Sequence, residues 1–408
     1  MAELNEIPRI ISVDDHVVEP PDLWQARLPA KYLDRAPRVI RLKGRLGGGG
    51  TGGRSVGFTV TEDGQWCDVW HYDDLVSPFL MLSAAVGFDE VGFKLTTFDE
   101  IRPGAWKQAE RLADMDANHV DAAICFPNTI PRFCGQAFYE REDKELAGLC
   151  VRAYNDWMIE EWCGGAGAGK LIPLTMVPLW DPQLAAAEIR RCAELGSHAI
   201  TFPENPFPLG LPSIHDKSRH WDPVYRACEE TETVLCMHIG SSSRMPSTSP
   251  DAPFIVSSVL TFQNAMGSMV DYLFSGILTR FPGLTLAYAE GQVGWMPYIL
   301  ERADKLWEER SDNSFGTSLP NPPSSYVPGR IYGCLFDDET GLKNRDVVGM
   351  SQICFETDYP HADSTFPESK AVLAKIATDA GLSDDELYAL ARGNAIRAFG
   401  LERYGLTK

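Results

Sequence analysis

The chain has 408 residues, room for one large barrel or two to three ordinary domains, with 44% hydrophobic residues and a formal net charge of −20. It holds no run of about eighteen apolar residues and no basic run to follow a phosphate backbone, which argues against a transmembrane helix and against nucleic acid or an anionic membrane as partner. Its ten cysteines include no Cys-x-x-Cys pair, and residues 1–9 are polar rather than signal-like, so reduced core thiols and a cytoplasmic protein are expected.

The first strand-like run, Ile10–Val13, leads into Asp14-Asp15-His16. Residues i and i+2 of a strand share a face, so Asp14 and His16 are expected to point together and Asp15 away. Glu19 follows before Pro20-Pro21, where a salt bridge or helix entry competes with a role in the site. About a hundred residues then separate the first strand from the second. Residues 36–105 read as a β-rich insertion or lid over the barrel mouth, with a glycine-rich tip at 44–53. The tip lacks the spacing and following helix of a phosphate loop, so it reads as a flexible loop.

Seven further apolar runs follow: Val120–Phe126, Leu171–Val177, His198–Phe202, Val234–Ile239, Leu284–Tyr288, Ile331–Leu335 and Ile353–Glu356. Each is short and nearly continuous, as parallel strands buried on both faces are. Helix-like segments at Lys144–Trp162, Pro182–Leu195 and Trp221–Glu232 alternate with them. The fold class is therefore α/β, a distorted (β/α)8 TIM barrel in one domain over 1–408, and Ser383–Phe399 reads as two short C-terminal helices packed on it. Irregular stretches at Ser241–Pro253 and Ser311–Pro328 read as loops.

Active sites of such barrels lie at the carboxyl ends of the strands. There the sequence sets Asp14 and His16 after strand one, Glu204 after strand four, His238 after strand five, Glu290 after strand six and Asp358 after strand eight. A lone histidine at a strand end is usually a hydrogen-bonded structural residue, and a lone aspartate usually a turn residue. The joint pattern points to a divalent metal held by Asp14, His16, His238 and Asp358, zinc first, with manganese or iron as alternatives. Glu204, His361, Glu19, Arg132 and Trp295 are further candidates for metal or substrate. Arg132 could grip a substrate carboxylate or form a surface ion pair. The aromatic residues Phe126, Phe133, Phe202, Trp295, Tyr298 and Tyr359 either line a pocket or fill core.

Several motifs together resemble the amidohydrolase-related group that includes aminocarboxymuconate semialdehyde decarboxylase and the metal-dependent resorcylate decarboxylases. They are Ser12-Val13-Asp14-Asp15-His16-Val17-Val18-Glu19-Pro20, Arg111-Leu112-Ala113-Asp114-Met115-Asp116, Ala153-Tyr154-Asn155-Asp156-Trp157, Trp221-Asp222-Pro223-Val224-Tyr225, His238-Ile239-Gly240, Gly294-Trp295-Met296-Pro297-Tyr298, Glu356-Thr357-Asp358-Tyr359-Pro360-His361 and Asn394-Ala395. The resemblance implies one divalent metal, with Asp14 and His16 matching the acidic-x-His pair, His238 the strand-five ligand and Asp358 the aspartate that binds metal and handles protons. The group's decarboxylases usually carry a histidine after strand six, where this chain has Glu290.

The expected activity is that of a metal-dependent hydrolase acting on a small carbonyl substrate through metal-activated water. Asp358 or Glu290 would be the base, and His238 a ligand that also serves catalysis. The alternative is non-oxidative decarboxylation of an aromatic or unsaturated acid, with Asp358 protonating carbon. Further readings are an iron or manganese enzyme that activates oxygen, and a catalytically silent subunit. The expected partners are a small-molecule substrate and another copy of the chain, or a related subunit.

Overall fold

Twelve strands appear in the computed structural model, which describes residues 6–47, 57–310 and 319–407. In chain order they are β1 (Ile10–Val17), β2 (Arg38–Leu46), β3 (Phe58–Val60), β4 (Gln65–Tyr72), β5 (Leu75–Pro78), β6 (Val120–Pro127), β7 (Leu171–Ile172), β8 (Ala199–Thr201), β9 (Val234–His238), β10 (Leu286–Ala289), β11 (Ile331–Leu335) and β12 (Ile353–Phe355). All eight runs read from the sequence contain a strand.

Eight of these strands pair in parallel, as one sheet in the order β1-β6-β7 and another in the order β12-β11-β10-β9-β8. At one seam Thr175 N–H donates to the Ala199 carbonyl at 3.0 Å, and Thr201 N–H to the Thr175 carbonyl at 2.9 Å. At the other, Asp358 N–H donates to the Asp14 carbonyl at 3.0 Å and His16 N–H to the Tyr359 carbonyl at 2.6 Å. The third run was expected to extend to Val177, yet β7 stops at Ile172. Pro173 has no N–H for the ladder, which breaks there.

Inward-facing side chains of both sheets form one apolar cluster, including Ile11, Ile124, Ile172, Val234, Ala287 and Cys354. Ile396, Phe399 and Leu401 of the C-terminal segment join it. Asn394 Nδ2 locks that segment by donating to the Met350 and Ile353 carbonyls at 2.7 and 2.6 Å. The region Ser383–Phe399, expected as two helices, is helical over Asp384–Tyr388 and Asn394–Phe399 with a wider turn at Ala389–Gly393 between them. Its start is Ser383, which forms a capping box with Glu386.

A second, larger apolar cluster lies between the strands and the surrounding helices. Asp143 caps the helix Lys144–Trp157, and Asp181 caps Pro182–Glu194, each cap worth about 1 kcal/mol. All ten cysteines are buried and free. No helix among the described residues is long and apolar enough to cross a membrane.

Between β1 and β6, an antiparallel sheet in the order β3-β2-β4-β5 fills the first half of the 36–105 segment. Of the glycine-rich tip, residues 48–53 lie outside the described residues, as do 311–318 of the loop expected at Ser311–Pro328. The chain leaving β5 turns back to the carboxyl ends of the parallel strands, where Val86 N–H donates to the Pro360 carbonyl at 3.1 Å. This contact sets the insertion beside the turn carrying Asp358 and His361.

Candidate metal centre

Strict alternation along β1 would put Val13 and Asp14 on opposite faces. The pairing of β1 with β6 shifts register between Ser12 and Asp15, an extra residue of the β-bulge kind. Val13 joins the interior apolar cluster, while Asp14 and His16 together face the carboxyl ends of the strands. Asp15 turns the other way, accepting from Ser12 Oγ at 2.9 Å and Thr357 Oγ1 at 2.6 Å.

His238 ends β9, and Gly240 follows it with φ 83°. A Cβ at Gly240 would lie 3.2 Å from the Phe133 ring, so the glycine leaves room for that ring to stack on His238 with centroids 4.2 Å apart. The two imidazoles meet with His16 Nε2 and His238 Nε2 3.1 Å apart. His16 Nε2 lies 3.6 Å from Asp14 Oδ1 and 3.5 Å from Asp358 Oδ1. His238 Nε2 lies 3.5 Å from Asp14 Oδ2 and 3.3 Å from Glu290 Oε2. The other His238 nitrogen, Nδ1, is 2.6 Å from the Ile239 carbonyl. That bond puts the proton on Nδ1 and the Nε2 lone pair into the cluster.

Asp14 and Asp358 are buried, and none of their four carboxylate oxygens accepts a well-aligned hydrogen bond, although His361 Nδ1 stands 3.1 Å from Asp358 Oδ1. Unpaired buried carboxylates are costly. Burial, then repulsion from neighbouring acids, raises the Asp14, Glu290 and Asp358 carboxyls well above their ordinary values. Burial holds His16 well below its ordinary value, His238 down at about 3 and His361 at about 4. A divalent cation inverts this balance by favouring ionised carboxylates and neutral imidazoles. The ligand atoms of Asp14, His16 and His238 lie within 4.8 Å of one another, as do those of His16, Asp358 and His361. These residues could hold a metal ion.

Both acids after β10 and β12 have left-handed backbone, Glu290 at φ 53° and Asp358 at φ 49°. Such strain in non-glycine residues concentrates at functional sites. Glu356 supports one of them: its Oε2 accepts the Glu290 N–H at 3.0 Å and also the Cys334 thiol. Burial pushes Glu356 up to about 7. Glu356 is absent from the candidates above, and its place two residues before Asp358, the same spacing as Asp14 and His16, is the signal that marks it.

The remaining candidates separate. His361 stacks on His16 with centroids 3.7 Å apart, its Nδ1 3.1 Å from Asp358 Oδ1 and its Nε2 3.2 Å from Asn128 Oδ1. Glu204 is buried close enough to add to the repulsion on Glu290, and burial pushes it up to about 8. Glu19 accepts the Asn128 and Thr129 N–H groups at 2.8 and 2.9 Å, so it fixes the loop after β6. Arg132 pairs with Glu140 at 2.7 Å. Trp295 Nε1 donates to the Gly291 carbonyl at 2.8 Å, next to the helix Met296–Glu309.

A cleft of about 550 Å³ opens onto Glu290, Asp358 and His361. Of the six aromatic residues considered for a pocket, only Phe133 lines it. Phe202 packs on Trp221, Tyr359 bonds Asp114, and Tyr298 is exposed on the outside.

A family model described as amidohydrolase matches residues 67–401, and the chain belongs to that family. It is an enzyme of the amidohydrolase superfamily. No curated protein sequence matches it. Among solved structures it is similar to an amidohydrolase from Mycobacterium avium subsp. paratuberculosis K-10, at 19% identity and TM-score 0.67, over 98% of this chain and 100% of that one. It is also similar to a dihydroxybenzoic acid decarboxylase from Polaromonas sp. JS666, solved with bound manganese and the inhibitor 2-nitroresorcinol. The identity there is 16% and the TM-score 0.63, over 97% and 98% of the two chains. A 5-carboxyvanillate decarboxylase from Sphingomonas paucimobilis gives 23% identity and TM-score 0.54, over 71% and 82%.

Proposed function

We propose that the chain is a metal-dependent, non-oxidative decarboxylase of an aromatic or unsaturated acid, built on a closed, distorted (β/α)8 barrel. The hydrogen bonds across both seams between the parallel sheets support the closed barrel. One observation carries the chemistry: four buried carboxylate oxygens without a well-aligned donor, on Asp14 and Asp358, around two imidazole nitrogens 3.1 Å apart. The manganese in the dihydroxybenzoic acid decarboxylase it resembles favours manganese over the zinc expected from the sequence.

Asp14, His16, His238 and Asp358 would hold the cation. When bound, it supplies positive charge that grips a substrate carboxylate and an adjacent hydroxyl and polarises them. Asp358 holds the proton and delivers it to the carbon bearing the carboxylate. The electrons of the breaking carbon–carbon bond then stay with the ring, and carbon dioxide leaves. His361, 3.1 Å from Asp358 Oδ1, returns a proton to the aspartate. Phe133, Ile239 and Phe262 line the cleft and give the reacting carboxylate an apolar surrounding.

Hydrolysis remains the second reading, favoured by Glu290 Oε2 at 3.3 Å from His238 Nε2, where a carboxylate suits a general base. Incubating the manganese-loaded protein with hydroxybenzoates, and separately with small amides and lactones, tests the assignment. Release of carbon dioxide, abolished in Asp358→Asn, is the expected result. Turnover of amides or lactones alone would overturn it.

A further inference from the structure

The cleft over the candidate centre is chemically one-sided. Its outer wall is apolar, with Val91 and Phe93 from the insertion facing Met245, Phe254 and Phe262 from the segment after β9. Phe93 and Phe254 are each 50% exposed and meet edge to face with centroids 5.3 Å apart. Half-exposed phenylalanines at a cleft mouth leave apolar area that an occupant can cover.

The carboxyl groups on the same lining are those of Glu290, Asp358 and the exposed Asp363, and among the described lining residues there is no lysine or arginine. Arg132, the cation nominated from sequence to grip a substrate carboxylate, is held by Glu140 at 2.7 Å and stands outside the lining. A second carboxylate on the substrate would enter this cleft beside the exposed Asp363, and would lose its hydration with no lysine or arginine to offset the loss. An alkyl or aryl extension would bury area against the phenylalanines instead.

We infer that the site selects singly charged aromatic acids carrying an apolar extension, and discriminates against diacids. This rests on the decarboxylase reading, and deepens it by assigning the insertion and the segment after β9 the choice of substrate. The acid end of such a substrate reaches the centre, and its extension lies against the exposed faces of Phe93 and Phe254.

Calorimetric titration of the manganese-loaded, full-length protein with salicylate, 4-butylsalicylate and 4-carboxysalicylate tests it. The butyl compound should bind about tenfold tighter than salicylate, or better, and the diacid about tenfold weaker. Phe93→Ala and Phe254→Ala, each at a half-exposed position, should each shrink the butyl advantage to about threefold or less with manganese content unchanged. A diacid that binds as tightly as salicylate, or a butyl group that gains nothing, overturns the inference while leaving the decarboxylase reading standing. If none of the three binds to protein carrying one manganese per chain, the chelation reading fails and the inference with it.

Discussion

His16 Nε2 and His238 Nε2 are 3.1 Å apart although 222 positions separate them in the chain. With the His238 proton drawn to the Ile239 carbonyl, its Nε2 is a ligand-ready lone pair in a nest of carboxylates. His238→Ala is therefore expected to cut bound manganese from about one ion per chain to about a tenth or less. It should also erase the rise in thermal midpoint expected when manganese is added to the parent protein. Elemental analysis and melting curves with and without manganese check both. Full manganese content in the variant would remove His238 from the centre.

His361 touches the centre through a carboxylate, with Nδ1 3.1 Å from Asp358 Oδ1. Its ring also stacks on His16. His361→Phe keeps a ring for the stack and removes the nitrogens that pass a proton. Carbon dioxide release is expected to fall about 10²–10⁴-fold with manganese content kept near the parent level. Unchanged turnover would take His361 out of the proton path.

Glu290 separates the two reaction types. In decarboxylation it is a neighbour of the centre rather than the proton donor, so Glu290→Gln should slow carbon dioxide release by about tenfold or less. As the general base of a hydrolase its loss should cost about 10²–10⁴-fold. Parallel rates of the variant on hydroxybenzoates and on amides or lactones read the difference.

What was legible in the sequence divides along a physical line. The eight parallel strands showed as nearly continuous apolar runs because a strand buried on both faces has few polar positions to interrupt it. The geometry of Asp14 and His16 was readable because strand periodicity is fixed. Even so, the bulge that lets Val13 and Asp14 both face inward left no mark in the residues. Where loops decide, the sequence said only which strand a residue follows. Arg132 follows β6, yet it takes φ 57° and pairs with Glu140. The apolar wall joins Phe93 of an irregular segment to Phe254 at the start of the helix Phe254–Leu260, far apart in the chain, so no local pattern announced it.

Tyr359 lies one residue from Asp358 yet serves the scaffold. Its hydroxyl donates to Asp114 Oδ2 at 2.6 Å, and Arg102 grips the same carboxylate with two bonds of 2.7 Å. Gly104 is pinned beneath, where a Cβ would lie 2.2 Å from Asp114 Oδ2 and 2.6 Å from the Tyr359 hydroxyl. Tyr359→Phe leaves Asp114 short of a donor and should lower stability by about 1–3 kcal/mol. Gly104→Ala, which displaces both partners, should cost more. Denaturant melts rank the two. A Tyr359→Phe protein as stable as the parent would show that Arg102 alone satisfies the carboxylate.

Acid stability should depend on a carboxylate far from the centre. Glu188 accepts Asn155 Nδ2 at 2.8 Å and the Arg191 guanidinium at 2.5 and 2.8 Å, and so ties the helix Pro182–Glu194 to Lys144–Trp157. Burial alone would raise the Glu188 carboxyl, but Arg191 and Asn155 outweigh it and hold the group below its ordinary 4.5. A carboxyl depressed in the folded state contributes stability above its unfolded value, and that contribution fades as pH falls through the folded one. The loss from this group should therefore begin near pH 4.5 and deepen below it. Glu188→Gln should lower stability at pH 7, leave it closer to the parent at pH 3, and flatten the acid limb between. Denaturant midpoints across pH 3–7 measure this, and two parallel curves would show that Glu188 does not carry the dependence.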